Sequence, residues 1–235
     1  MEFDLMTGSS TWGSAGELAR NVESQGFSGM LYTETGQVPW MQIAAAALAA
    51  PSLTFTTGIA VAFPRSPMVS AQVAWELAGE TQGKFRLGLG SQVKGHVVRR
   101  YSSDFDHPAR RLHDYVLAVK ACLRAFRGEE RLSYEGDFYN LSLLPDAWKP
   151  RSHEFGDIKI DISSVGPLMN RVAGQVADGV HVHPMHSMHY IQNRLLPEMG
   201  EGAEKANRQI SEIDLIVPVF AVAGDTPEER APWVH

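Results

Sequence analysis

The chain has 235 residues, 44% of them hydrophobic, and a formal charge of −6, a composition that suits one large globular core or two small ones. Acidic and basic residues are mixed along it, so neither nucleic acid nor an anionic membrane surface is signalled as a partner. The longest apolar stretch, IAAAALAAPSLTF, is broken by Pro51 and falls short of the roughly 18 residues a membrane span needs; the N-terminus lacks a basic leader, and the single Cys122 excludes an internal disulfide framework and fits a reducing cytoplasm.

Strand and helix signals alternate from the start. FDLMTG reads as a strand, and Ser14-Ala-Gly-Glu17 as a capping box opening a helix with Ala15, Leu18, Ala19 and Val22 on one face. Residues 29–34 form the second strand, residues 40–50 the second helix, and the β-branched and aromatic run 53–63 the third strand. Ser66-Pro67 supplies a cap and a first-turn proline for a helix reaching about Gln82. FRLGLG is the fourth strand, and Pro108 starts a helix whose Leu112, Tyr115, Val116, Val119, Cys122, Leu123 and Phe126 share one face up to Gly128. Cys122 therefore reads as core.

Residues 129–155 break the rhythm with turn-rich aromatic sequence, an excursion on one face of the fold. The alternation resumes with IKIDISS, a helix from Pro167 to Asp178, the strand GVHVHP, a helical stretch 187–207 kinked at Pro197, a seventh strand over 213–222, and helix-start signals at 225–229, so that a further helix is beginning where the sequence reaches residues 233–235. Alternation of this kind implies parallel pairing through crossovers. The expected fold is α/β, a (β/α)8 TIM-type barrel as a single domain over 1–235. The eighth strand is not in this chain, so the barrel is expected to be incomplete, with an open edge that something must cover.

In such a barrel, chemistry belongs to the loops after the strands, which draws attention to SQVKGHVVRR after FRLGLG. Its glycines miss a dinucleotide fingerprint, since Val93 stands where the third glycine belongs, and miss a phosphate loop, since His96 stands where a lysine is required. Gly88 and Gly90 also suit a strand end that lies close to its neighbours. A second candidate is ISSVGPLMN, where two hydroxyl residues and Gly166-Pro167 lead into a helix whose first N–H groups can seat an anion. A third is the His-x-His pair His181 and His183, which share a strand face. Lacking an evident third ligand, with Glu34 and Asp161 unassigned, they are expected to be polar residues of the barrel mouth rather than a metal centre.

Together GFSGMLYTE, TTGIAVAFPRSPMVSAQVAWEL, GKFRLGLGSQVKGHVVRRY, YEGDFYNL and VGPLMNRVAGQVADGVHVHP resemble, in order and spacing, the bacterial luciferase-like family of flavin and deazaflavin oxidoreductases. GLGSQVKGH followed by Arg99-Arg100 is most similar to its coenzyme F420 subgroup. The resemblance implies a cofactor ring lying across the strand ends, propped by a bulge with a non-proline cis bond at Gly58-Ile59. It implies Ser91, Gln92 and Val93 against the ring or its side chain, and a phosphate seat made of Ser163, Ser164, Val165, Gly166 and Pro167. Lys94, His96, Arg99 and Arg100 would reach toward an acidic tail or the substrate. The family's histidine at the end of the second strand is replaced by Glu34-Thr35, and an acid found in some members after the fourth strand by Val93, so the candidates for proton transfer are Glu34 and His96.

The implied activity is hydride transfer between coenzyme F420 and a small organic substrate. Two alternatives stay open: an FMN-dependent monooxygenase using oxygen, and a shortened relative that binds flavin without turnover. The implied partner is a second copy in a cytoplasmic homodimer.

Overall fold

The computed structural model describes residues 1–222 and 224–230. Seven parallel strand positions follow one another in the order β1 (Asp4–Thr7), β2 (Gly29–Tyr32), β3 (Thr54–Thr57), β5 (Phe85–Gly90), β8 (Ile160–Ser164), β9 (Gly179–Val182) and β10 (Asp214–Ile216), with β4 (Ala60–Val61) continuing the third position beside β5. The sheet curls into a barrel wall that stays open between β1 and β10. This is the incomplete α/β barrel that the alternation predicts.

The crossover helices are α1 (Trp12–Ser24), α2 (Trp40–Ala49), α3 (Pro67–Glu80), α5 (Pro108–Phe126), α6 (Pro167–Val176) and the run α7 (Met188–Tyr190), a π turn (Ile191–Leu195) and α8 (Leu196–Lys205). A short α4 (Lys94–Arg99) follows β5, and α9 (Pro227–Arg230) ends the described part. The continuation of α9 toward residues 233–235 lies outside the described residues. Parallel register alternates side chains between two faces. Met30, Tyr32, Phe55, Leu87, Leu89, Ile160, Ile162, Val180 and Val182 point outward and are buried under helix residues such as Ile43, Ala74, Trp75, Val116, Val119 and Ala173. Cys122 lies within this core. The opposite face is mostly polar and small: Asp4, Thr56, Arg86, Gly88, Gly90, Asp161, Ser163 and His181 line the barrel interior, joined by the apolar Met6 and Leu31.

Three local expectations need correction. The first helix is capped by Thr11, not Ser14: Thr11 is extended, its hydroxyl accepts the Ser14 N–H, and Ser14 sits in the first turn. The predicted third strand is two strands, because the chain turns out of line at Gly58-Ile59, whose peptide bond is cis. The seventh strand is three residues long instead of ten: β10 pairs with β9 over Asp214–Ile216, and residues 217–222 join no ladder among the described residues. In the run containing Pro197, the π turn lies just ahead of the proline, which carries no N–H to continue a regular ladder. The 129–155 segment holds a hairpin, β6 (Tyr134–Glu135) with β7 (Asn140–Leu141). Asp114 of α5 anchors it by accepting from the Tyr134 hydroxyl and the Phe138 and Tyr139 amides.

Candidate functional site

The barrel interior carries a column of charge below the mouth. Arg86 donates two bonds to Asp161, at 2.8 and 2.6 Å, and a third to Asp214 at 2.8 Å. Asp161 is fully buried. Burial opposes a charge on Arg86, but the two carboxylates outweigh it and hold the guanidinium firmly ionised. Thr57 ties the neighbouring strand in, donating to the Gly88 carbonyl at 2.7 Å and accepting the Gly88 N–H at 2.9 Å.

His181 lies above this column. Gly88 leaves room for it, since a Cβ there would sit 2.5 Å from the imidazole Nε2 and would also strike the Thr57 carbonyl. Only 9% of His181 is exposed, and its Nε2 has no hydrogen-bond partner among the described residues. Burial lowers its pKa to about 4, with Arg86 adding to the effect and Asp161 partly opposing it. The imidazole is therefore neutral near pH 7, and its 4.0 Å approach to Asp161 is not an ion pair there. His183 faces the same way two residues on and packs near His186, whose ring stacks toward Tyr190 at 4.1 Å. Among the described residues no group of three or more His, Cys, Asp or Glu is placed to hold a metal ion.

At the mouth, the segments that the resemblance names adjoin one another around Gly90. A Cβ on Gly90 would meet the Ser163 hydroxyl at 2.5 Å and the Ile59 side chain at 2.7 Å, so the third, fourth and fifth strand positions close on one point. Gly58 is equally constrained, because a Cβ there would overlap the Leu31 side chain. Ser91, Gln92 and Val93 leave β5 directly above that point. Gln92 takes a left-handed conformation (φ 56°), its side-chain carbonyl accepting the Val93 N–H at 2.9 Å, and Val93 is exposed.

Across from them, β8 runs through Ser163 and Ser164 to Val165, Gly166 and Pro167 at the start of α6. Ser164 points the other way, into the helix layer, and donates to Asn170, whose amide in turn donates to Glu198 at 2.7 Å. Gly166 has φ 90°, open space where a Cβ would point, and supplies no side-chain cap to the helix. Its N–H donates to the Tyr190 hydroxyl at 3.3 Å. The first-turn amides beyond it are left uncapped at the positive end of the helix dipole. This donor set, with Ser163, fits a phosphate group.

The two proton-transfer candidates sit in different surroundings. Glu34 is engaged on every side: Arg65 donates to both its oxygens at 2.6 and 2.8 Å, the Val61 N–H donates at 2.8 Å, and the Tyr101 hydroxyl at 3.4 Å. His96 is exposed on α4 with no such partners. Lys94 and Arg99 are exposed beside it, while Arg100 donates to the Thr35 carbonyl at 2.5 Å and lies over the Tyr101 ring. Arg65, Tyr101, Asn170 and Tyr190 were not legible as site residues. Arg65 had one signal, a lone cation directly after an apolar strand, in AVAFPRSP.

Known proteins resemble the chain over nearly its whole length. The family model described as luciferase-like monooxygenase matches residues 2–234. An uncharacterized protein of Mycobacterium bovis is 32% identical over 217 residues, covering 92% of this chain and 64% of its own length. An F420-dependent glucose-6-phosphate dehydrogenase of Rhodococcus jostii is 27% identical over 170 residues, covering 72% of this chain and 49% of its own. The chain thus spans about two thirds or less of the length of these relatives. Among solved structures, the coenzyme F420-dependent tetrahydromethanopterin reductase of Methanopyrus kandleri superposes with a TM-score of 0.74 at 20% identity, over 91% of this chain and 64% of that one, a likeness of fold. With its polar barrel interior, its glycine-walled mouth and a family match spanning nearly every residue, the chain belongs to the luciferase-like monooxygenase family.

Proposed function

We propose that this chain forms the cofactor-binding face of an oxidoreductase that moves a hydride between coenzyme F420 and a small organic substrate. One observation supports the reading: a Cβ on Gly90 would meet both the Ile59 side chain and the Ser163 hydroxyl, so the bulge, the start of the loop 91–93 and the start of the 163–167 segment lie side by side at one strand end. The α6 amides, Ser163 and the open space at Gly166 would take the phosphate, and the bulge, Ser91, Gln92 and Val93 the ring and its side chain. A deazaflavin bound there supplies the hydride chemistry; the protein orients it and excludes water. His96, exposed on α4, is the proton carrier in this reading. The choice of F420 over FMN rests on the GLGSQVKGH stretch. The homodimer implied by the resemblance belongs to the same proposal and is checked by light scattering.

No helix among the described residues is long and apolar enough to cross a membrane. The binding test uses the purified chain, which is titrated with coenzyme F420 and, separately, with FMN, following fluorescence and thermal stability. Tighter binding of F420 supports the hydride-transfer reading. Tighter binding of FMN moves the function to oxygen chemistry, tight retention without turnover on any donor points to a non-enzymatic flavin binder, and binding of neither refutes the site.

A further inference from the structure

Glu34 is the meeting point of four chain segments. It leaves the end of β2, and its side chain is 2% exposed. Beyond Thr57, the third strand position loses its pairing with β2, because the chain turns at Gly58-Ile59 and β4 pairs only with β5. The Val61 N–H on the side facing β2 has no strand to bond. The Glu34 carboxylate takes that N–H at 2.8 Å, doing with a side chain what the missing ladder would have done. Arg65, in the bend before α3, completes the joint, donating to both Glu34 oxygens and to the Val61 carbonyl at 2.7 Å. On the far side, Tyr101 reaches Glu34, and Arg100 bonds the carbonyl of the adjacent Thr35. Burial first, and the Glu34 charge second, raise the pKa of the Tyr101 hydroxyl, so it stays protonated and donates.

We infer that Glu34 is a positioning residue: acting through Arg65, the Val61 amide and Tyr101, it sets the spacing between the 58–61 bulge and the 91–101 segment. These are two walls of one mouth, and a single carboxylate fixes both. A bidentate guanidinium and an amide leave Glu34 little capacity to hand a proton to anything else. That the two walls enclose a cofactor rests on the proposed function; the brace itself does not.

The test therefore has a ligand-free arm and a ligand arm. Amide hydrogen exchange is compared in wild type, Glu34→Ala, Arg65→Met and the double variant. Exchange is expected to rise about tenfold or more in both 58–64 and 95–103, to leave the 134–141 hairpin unchanged, and to be no faster in the double variant than in Glu34→Ala, because one joint is lost once. Faster exchange in only one of the two segments, or additive effects, overturns the inference. Should Glu34→Ala unfold globally, the isosteric Glu34→Gln carries the same comparison. In the ligand arm, F420 and FMN affinities and the absorption spectrum of the bound cofactor are measured for Glu34→Gln and Arg65→Met. A loss of tenfold or more in both variants, with a shifted spectrum, is expected. Wild-type affinity in either variant overturns the positioning role. If wild type binds neither cofactor, the proposed function fails, and the exchange data still decide the brace.

Discussion

Acid should destabilise this fold through one imidazole. His181 is neutral in the folded chain, its pKa lowered to about 4 by burial, whereas an unfolded histidine titrates near 6.5. Between those values the unfolded chain takes up a proton that the fold refuses, and stability rises with pH wherever the unfolded state holds more protons. The contribution is therefore absent above about pH 6.5, grows as pH falls, and levels off below about pH 4. The interval is about 2.5 pH units, and at about 1.4 kcal/mol per unit it amounts to about 3 kcal/mol. Urea unfolding of wild type and His181→Asn at pH 7.5, 6.5, 5.5 and 4.5 isolates the effect, because the other titrating groups largely cancel in the difference. The variant should gain on wild type by about 1.4 kcal/mol at pH 5.5 and by roughly 2.5 kcal/mol at pH 4.5. Curves that stay parallel down to pH 4.5 would refute the argument and place a charged or hydrogen-bonded imidazole at this position.

Three further outcomes follow from the same interior. Arg86→Met strips the counter-charge from the fully buried Asp161 and should cost about 3–5 kcal/mol in urea unfolding; a loss below 1 kcal/mol would mean that the pair is solvated. Gly88→Ala drives a methyl into the Thr57 carbonyl and toward His181, so it should cost about 1–3 kcal/mol or more, measured as a lowered denaturation midpoint. Cys122, buried and with its thiol pushed up to about 12 chiefly by burial, should resist iodoacetamide at pH 8 in the native protein and react once unfolded; stoichiometric native labelling would contradict its place in the core.

The fold was largely legible because its signals are local. Helices began at Ser66-Pro67 and at Pro108 where caps and first-turn prolines stood, and the outward strand residues announced themselves as apolar runs. Legibility failed where a backbone conformation, or a partner far away in sequence, decides. Ser14 and Thr11 both offer a hydroxyl at the first helix, and only the extended backbone at Thr11 chooses between them. The strand-like run 53–63 has no internal sign of a break except Gly58, whose need for a glycine is set by Leu31, twenty-seven positions earlier, which fills the space a side chain there would need. Residues 217–222 carry strand-forming side chains without a neighbouring strand among the described residues, and propensity alone does not form a ladder.

The site shows the same division more sharply. Its backbone features, the glycine-walled strand ends and the uncapped start of α6, are properties of short segments and could be named from sequence. The roles of its ionisable side chains could not, because a role belongs to a set of partners. Glu34 and His96 were equivalent candidates as residue types, yet Arg65, thirty-one positions after Glu34, occupies one of them while the other faces solvent. His181 and His183 were a plausible metal pair by spacing, yet Gly88 makes room for His181 in a dry pocket beside Asp161, where burial keeps its imidazole neutral. In a parallel barrel, adjacent strands are separated in sequence by a whole helix, so the neighbours that fix a side chain's charge state are never local. Polar residues on the inner face of such a wall can be counted from the period-two pattern, but their chemistry is decided by register.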